Sequence, residues 1–174
     1  SDGSVAAIHA TFPQFLVLVN KKNLGYAGGN NVGIRHALEN NAEFILVLNN
    51  DTIVSPELIN RLVLAATHYP KAGIFGARLL YHDRPDIVWF DNAKWNASLN
   101  HFEYPGQNEN VSSLGVSDHD TDYICGAALF IRSVAVQQIG LMDERYYLVW
   151  EEVDWCYRAR EAGWQCIVIP QALV

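Results

Sequence analysis

Residues 44–59 read Phe44-Ile45-Leu46-Val47-Leu48-Asn49-Asn50-Asp51-Thr52-Ile53-Val54-Ser55-Pro56-Glu57-Leu58-Ile59. The five apolar residues at the start leave no side for water, as in a strand buried on both faces. Asn49-Asn50-Asp51 follows as a turn, because short amides and carboxylates bond the nearby backbone. Ser55-Pro56 then sets an N-cap with proline at the first helical position. Leu58, Ile59, Leu62, Val63 and Ala66 recur at helical spacing until Pro70 ends the run. A buried strand, a polar turn and an amphipathic helix make the repeating unit of an α/β protein.

The same unit extends in both directions. Phe15-Leu16-Val17-Leu18-Val19 predicts an earlier parallel strand, and residues 32–39 place Ile34, Ala37 and Leu38 on one helix face. Towards the C-terminus, residues 124–132 predict a strand, and 133–139 a short helix ended by Gly140. Residues 151–162 predict a helix ended by Gly163, and 164–169 a closing strand. The expected fold is one α/β domain over residues 1–174, with a mostly parallel sheet covered by helices on both faces. Between residues 82 and 121 the periodicity fails, and Gly, Asn, Pro, Ser and Asp alternate with Trp89, Phe90, Trp95, Phe102 and Tyr104. So long an irregular, aromatic stretch is either a surface excursion or a loop that covers a site.

Composition excludes several classes. Of 174 residues 50% are hydrophobic and 18% charged, enough for a buried core and against disorder. Twelve basic against nineteen acidic residues give a net charge of −7, which repels a phosphate backbone and argues against a nucleic-acid partner. No apolar run approaches the ~20 residues of a membrane span. Cys125, Cys156 and Cys166 sit in apolar sequence without metal-ligand spacing, as small core residues in a reducing compartment do. Without a visible signal segment, the Asn-x-Ser sequons at Asn96 and Asn110 read as accidental, and the expected location is cytoplasmic.

Three polar segments could carry chemistry at the carboxyl ends of the strands, where ligands of open α/β sheets bind. Asn23-Leu24-Gly25-Tyr26-Ala27-Gly28-Gly29-Asn30-Asn31 offers glycines, backbone N–H groups at a helix start and amides that donate and accept. These are the materials of a nucleotide loop, or of a tight turn. Asn49-Asn50-Asp51 places a carboxylate after a buried strand, where it could hold a hard divalent cation shared with a diphosphate, or close an Asx-turn. Trp150-Glu151-Glu152-Val153-Asp154-Trp155 packs three carboxylates into one turn between tryptophans. Acidic residues at a helix start are favoured by the macrodipole without any catalytic role. A carboxylate partly desolvated by aromatic surfaces is also a stronger base, and aromatic faces suit sugar rings.

Together, SDGS at residues 1–4, NLGYAGGNNVGIRHAL, FILVLNNDTIVSPELI, and ICGAALFIRSVAVQQIGLMDERYYLVWEEVDWCYRAREAGW with its closing strand resemble the family-2 inverting glycosyltransferases, especially the rhamnosyltransferase-like branch. The resemblance implies a GT-A fold, a nucleotide-diphosphate sugar donor, a divalent metal (Mg or Mn), and a carbohydrate or lipid-linked glycan acceptor. It implies that Asp51 is the last carboxylate of a DXD-type metal site, with Asn49 in place of the first aspartate and Asn50 between them. Asn23, Gly25, Gly28, Gly29, Asn30 and Asn31 correspond to the segment lining the nucleotide. Glu151-Glu152 stands where such enzymes commonly have Glu-Asp. That makes Glu152 the candidate base, with Glu151 and Asp154 as alternatives because glutamate is one methylene longer. In this family a strand, a helix and a strand precede SDGS, and a histidine near the metal lies beyond the last block. The expectation is therefore an incomplete domain with weak or no activity by itself, from an enzyme able to associate peripherally with the inner face of a membrane. A sugar nucleotidyltransferase and a non-catalytic carbohydrate-binding domain are the alternatives.

Overall fold

The computed structural model describes residues 2–174, so the first residue of the SDGS motif lies outside it. The order of elements is α1 (Ser4–Thr11), α2 (Gly25–Glu39), β1 (Phe44–Leu48), α3 (Leu58–His68), β2 (Ala72–Tyr81), β3 (Arg84–Phe90), β4 (Lys94–Asn96), β5 (His101–Glu103), a 3-10 turn (Val111–Ser113), β6 (His119–Asp120), β7 (Ala128–Arg132), α4 (Ser133–Ile139), α5 (Glu151–Glu161) and β8 (Gln165–Leu173). The main sheet has the order β1-β7-β2-β8-β6, with β3 paired to the end of β2; β4 and β5 form a separate hairpin.

The expectation of a mostly parallel sheet is corrected. Only β2 and β8 pair in parallel, whereas β7 runs antiparallel to both of its neighbours, and β3 and β6 are antiparallel to theirs. β1, β2 and β8 do run in one direction, as the strand–helix–strand rhythm requires. β7 inserts between β1 and β2 against that direction, and no local pattern announces it. β2 is buried on both faces from Ala72 to Leu79, beneath α3 and α5, and forms the centre of the core with Phe75, Leu129, Ile131, Trp155 and Val168.

Phe15–Val19 is not a strand. It is irregular coil with Phe15, Leu16 and Val19 exposed, and no described strand offers it the backbone partners a strand requires. The helix expected from residue 32 begins at Gly25, where the Asn23 side chain accepts the Gly25 N–H at 2.9 Å. The next helix starts at Leu58; the Ser55 hydroxyl accepts the Glu57 N–H at 3.3 Å, and the Ser55 carbonyl accepts from Leu58. The strand near residue 124 is shorter than expected and starts at Ala128. The stretch 82–121 contains β3, the β4–β5 hairpin and β6, so Trp89, Phe90, Trp95 and Phe102 lie on short strands and Tyr104 directly follows β5.

Two arginines, Arg78 buried and Arg132 half-buried, fasten this architecture. The guanidinium of Arg132 donates to the carbonyls of Ala72, Tyr69 and Ala66, satisfying the last turn of α3 from β7. Arg78 on β2 is 2% exposed and donates twice to Asp91, at 2.8 and 3.0 Å, and once to the Gly115 carbonyl at 2.8 Å. Removing one partner of such a pair leaves an uncompensated buried charge. Asp91→Ala is therefore expected to lower unfolding free energy by about 3–5 kcal/mol, read from urea midpoints at pH 7.

Candidate active site

Tyr26, the Asn49–Asp51 turn and the first turn of α5 meet around Cys125-Gly126-Ala127, the turn that leads into β7. The first turn of α5 faces this segment, as does the end of β1. The Asn49 N–H donates to the Ala127 carbonyl at 3.0 Å, extending the β1–β7 ladder by one bond and fixing where the Asn49–Asp51 turn leaves the sheet. The Tyr26 hydroxyl, on α2, donates to the Gly126 carbonyl at 2.6 Å. A Cβ at residue 126 would stand 2.9 Å from the Tyr26 oxygen, so glycine permits this approach. The backbone N–H of Gly126 faces the Glu152 carboxylate.

Glu152 lies in the first turn of α5, largely removed from water, and one of its carboxylate oxygens is buried without a partner. Burial raises its pKa from the ordinary glutamate value. The charge of Glu151 adds to this, while the N–H groups of Glu152, Gly126 and Val153 oppose it. The neighbouring phenols respond in kind: burial, then the negative charge of Glu152, pushes Tyr26 upward, and burial with the Tyr104 hydroxyl does so for Tyr123. The Cys125 thiol is pushed up to about 11 by burial and is not a thiolate nucleophile. Glu151 is 4% exposed and also has one unpartnered oxygen. Asp154 differs from both, because Arg158 donates to its carboxylate at 2.8 Å one helical turn on and bonds the Ile139 and Leu141 carbonyls as well. That carboxylate is engaged in holding α5 to the end of α4.

Asp51 is exposed and accepts no hydrogen bond or ion pair from the described residues. It lines a cavity of about 450 Å³ together with Ser55, Tyr81, His82, Trp89 and Ala127. Among the described residues no group of three or more His, Cys, Asp and Glu is arranged around a metal position. The one unpartnered carboxylate in the cavity is Asp51, and one or two protein carboxylates are what magnesium takes when phosphates and water supply the rest of its ligands. Glu151 and Glu152 do not line this cavity. They lie beyond the Cys125–Ala127 segment, which has Ala127 on the cavity side and the Gly126 N–H on the Glu152 side.

The Asn23–Asn31 segment does not face this site as a unit. Gly28, Gly29, Asn30 and Asn31 are already within α2. Asn30 lines a separate cavity along the outer edge of β1. Asn31 is 1% exposed, and its amide forms a two-way clamp with the backbone of Met142: it donates to the carbonyl at 2.9 Å and accepts from the N–H at 3.1 Å, with a further bond to Glu144. Gly25, at φ 72°, leaves the room in which the Tyr147 carbonyl accepts the Tyr26 N–H at 2.9 Å. The N-terminus of α2 is thus bolted to the loop 142–150 that delivers Glu151 and Glu152.

That loop ends under strain. Val149 and Trp150 both have φ of 78°, a left-handed conformation rare for any side-chain-bearing residue and more so for a β-branched one. Such residues cost about 1–3 kcal/mol each and persist where the surroundings over-determine them. Tyr26, Gly126 and Tyr123, which surround Glu152, were not among the expected site residues. The block beginning Ile124-Cys125-Gly126 was the available signal, but its backbone role depends on partners remote in sequence, Tyr26 being 100 residues away.

The sequence matches the family description "Glycosyl transferase family 2" over residues 1–137. It is 30% identical over 161 residues to a low-salt glycan biosynthesis hexosyltransferase of Haloferax volcanii, covering 84% of this chain and 48% of that protein. It is 27% identical to an N-acetylglucosaminyl-diphospho-decaprenol L-rhamnosyltransferase of Mycobacterium tuberculosis, over 100% of this chain and 62% of the relative. Against a dTDP-rhamnosyl transferase of Shigella flexneri the identity is 25%, over 86% and 47%. The chain thus spans about half the length of these relatives. A solved structure of GalNAc-T7 with UDP, GalNAc and Mn2+ superposes with a TM-score of 0.73 at 11% identity, covering 99% of this chain and 34% of that one, a likeness of fold alone. The mixed α/β architecture is of the GT-A type, and the chain belongs to glycosyl transferase family 2.

Proposed function

We propose that this domain transfers a sugar from a nucleotide-diphosphate donor to an acceptor hydroxyl, with inversion at the anomeric carbon, in the synthesis of a polysaccharide or other glycan. The observation that carries this reading is Glu152: a largely buried carboxylate with an unpartnered oxygen, separated only by Cys125–Ala127 from the turn that presents the free carboxylate of Asp51. Two of the relatives named above are rhamnosyltransferases, which supports a deoxyhexose as the sugar moved. One of them acts on a lipid-linked acceptor by name, and that favours an acceptor of this class or a free glycan. With three free cysteines, a cytoplasmic enzyme working at the inner face of a membrane is the setting we infer.

In the reaction Glu152 accepts the proton of the acceptor hydroxyl as that oxygen bonds to the anomeric carbon. The bond from that carbon to the diphosphate oxygen breaks on the opposite face, and the diphosphate leaves with the electron pair. Asp51 is the residue that would hold a divalent cation, magnesium or manganese, whose charge favours the departing diphosphate. Tyr26 and the Gly126 N–H fix the position of the base, and Glu151 keeps negative charge beside it. Asp154 holds α5 in place and takes no proton.

Asp51→Ala is expected to abolish manganese-dependent binding of UDP, TDP or GDP in calorimetric titrations, with an unchanged thermal midpoint. Glu152→Gln is expected to keep that binding and lose transfer by about 10²–10⁴-fold, the usual contribution of a positioned base, in assays on the full-length protein. Normal transfer by Glu152→Gln would move the base elsewhere. Because burial raises the Glu152 pKa, the acid limb of kcat/KM should lie above the ordinary glutamate value of about 4.3, with activity rising as Glu152 loses its proton. The same shift makes the folded state bind this proton more tightly than the unfolded chain. Wild-type stability relative to Glu152→Gln should therefore fall as pH rises from the ordinary value through the raised one, a trend that urea titrations at several pH values would read.

A further inference from the structure

The β4–β5 hairpin lies outside the main sheet, yet it is held firmly. The Trp95 N–H donates to the Asp122 carboxylate at 2.6 Å, and the Asp122 N–H donates to the Ala93 carbonyl at 2.9 Å. Two-stranded hairpins are marginal by themselves, so this anchoring fixes whatever the hairpin displays. It displays Trp95 and Phe102, which are direct cross-strand partners with ring centroids 5.0 Å apart. Phe102 in turn touches Tyr123 at 5.0 Å and Trp150 at 6.0 Å. The hairpin therefore reaches across the surface to the residue immediately before Glu151. Trp95 and Trp150 remain 45% and 50% exposed, so half of two large apolar rings faces water in a cluster whose other members are packed. Trp150 holds this position at a φ of 78°, next to a valine at the same angle, a conformation that persists only where the surroundings over-determine it.

We propose that Trp95, Phe102 and Trp150 form the platform on which the sugar ring of the acceptor stacks, so that one of its hydroxyls meets the Glu152 carboxylate. This rests on Glu152 as the base. A pyranose has an apolar C–H face that packs on aromatic rings and a rim of hydroxyls that needs polar partners, and the cluster supplies both. Tyr123 joins the platform to the base, because its ring contacts Phe102 and its phenol feels the charge of Glu152. The donor is not the occupant: the free carboxylate suited to a diphosphate is Asp51, on the other side of Cys125–Ala127. Stacking would orient the nucleophile, whereas the platform itself exchanges no proton.

The test is ligand-observed saturation-transfer NMR on this chain without nucleotide or metal, using methyl β-D-glucopyranoside and methyl α-L-rhamnopyranoside, with open-chain mannitol as the control. The expected result is saturation of the ring C–H protons of at least one glycoside and none of mannitol. That signal should fall at least fivefold in Trp95→Ala and Trp150→Ala, survive in Trp150→Phe, and be unchanged in Tyr157→Ala, which removes an exposed aromatic ring elsewhere on α5. Circular dichroism checks that each variant is folded. Equal signals in wild type and both alanine variants, equal saturation of mannitol, or no signal from either glycoside with folded wild type would each overturn the proposal. Failure of Glu152 as the base would appear separately, as normal transfer by Glu152→Gln with the stacking signal intact.

Discussion

The backbone of Gly126 and Ala127 is the constraint on which the site depends. The Gly126 carbonyl is bonded to Tyr26 of α2, its N–H faces Glu152 of α5, and the Ala127 carbonyl continues the ladder from β1 at Asn49. Three elements that are distant in sequence are thereby brought together at one end of the sheet. The short segment can do this because β7 lies between β1 and β2 and enters the sheet where β1 leaves it. Antiparallel insertion is thus the feature that brings the Asp51 turn and the Glu152 helix to adjoining positions.

Around that junction the chain keeps carboxylates in distinct states by giving them different neighbours. Asp154 meets Arg158 and becomes part of the scaffold, and Asp91 meets Arg78 and becomes part of the core. Asp51 faces a cavity without a partner, and Glu152 is largely removed from water with one buried oxygen unpartnered. Carboxylates that differ in solvation and in partners can take different tasks at one pH. The strained Val149–Trp150 pair and the Asn31 clamp on Met142 belong to the same economy, since both restrict the loop that presents Glu152.

Local signals made much of this legible in the sequence. Phe44–Leu48 was readable as a strand because five apolar residues stand without interruption, and α4 and α5 because Gly140 and Gly163 follow them at φ 81° and 90°. β2 escaped because Gly73, Gly76 and Arg78 interrupt its apolar run, and the partner that neutralises Arg78 lies thirteen residues on. Phe15–Val19 has strand composition but no described ladder, and composition cannot report pairing. The glycines of α2 resembled a loop until tertiary contacts made them helical. Asp51 was readable as a carboxylate after a buried strand and Glu152 as one at a helix start. The engagement of Asp154 was also readable in principle, since Arg158 stands four positions later on the same helix, whereas the Gly126 junction and the Asn31 clamp are long-range facts.

The central claim is a division of labour across Cys125–Ala127, with the diphosphate end of the donor at Asp51 and the acceptor end at Glu152. Anomalous diffraction from crystals grown with manganese and a nucleoside diphosphate locates the metal independently of any assay. The account predicts a single strong peak at the Asp51 carboxylate, with the diphosphate in the cavity that Ala127 lines. Manganese bound instead by Glu151 and Glu152, with Asp51 left in solvent, would contradict it.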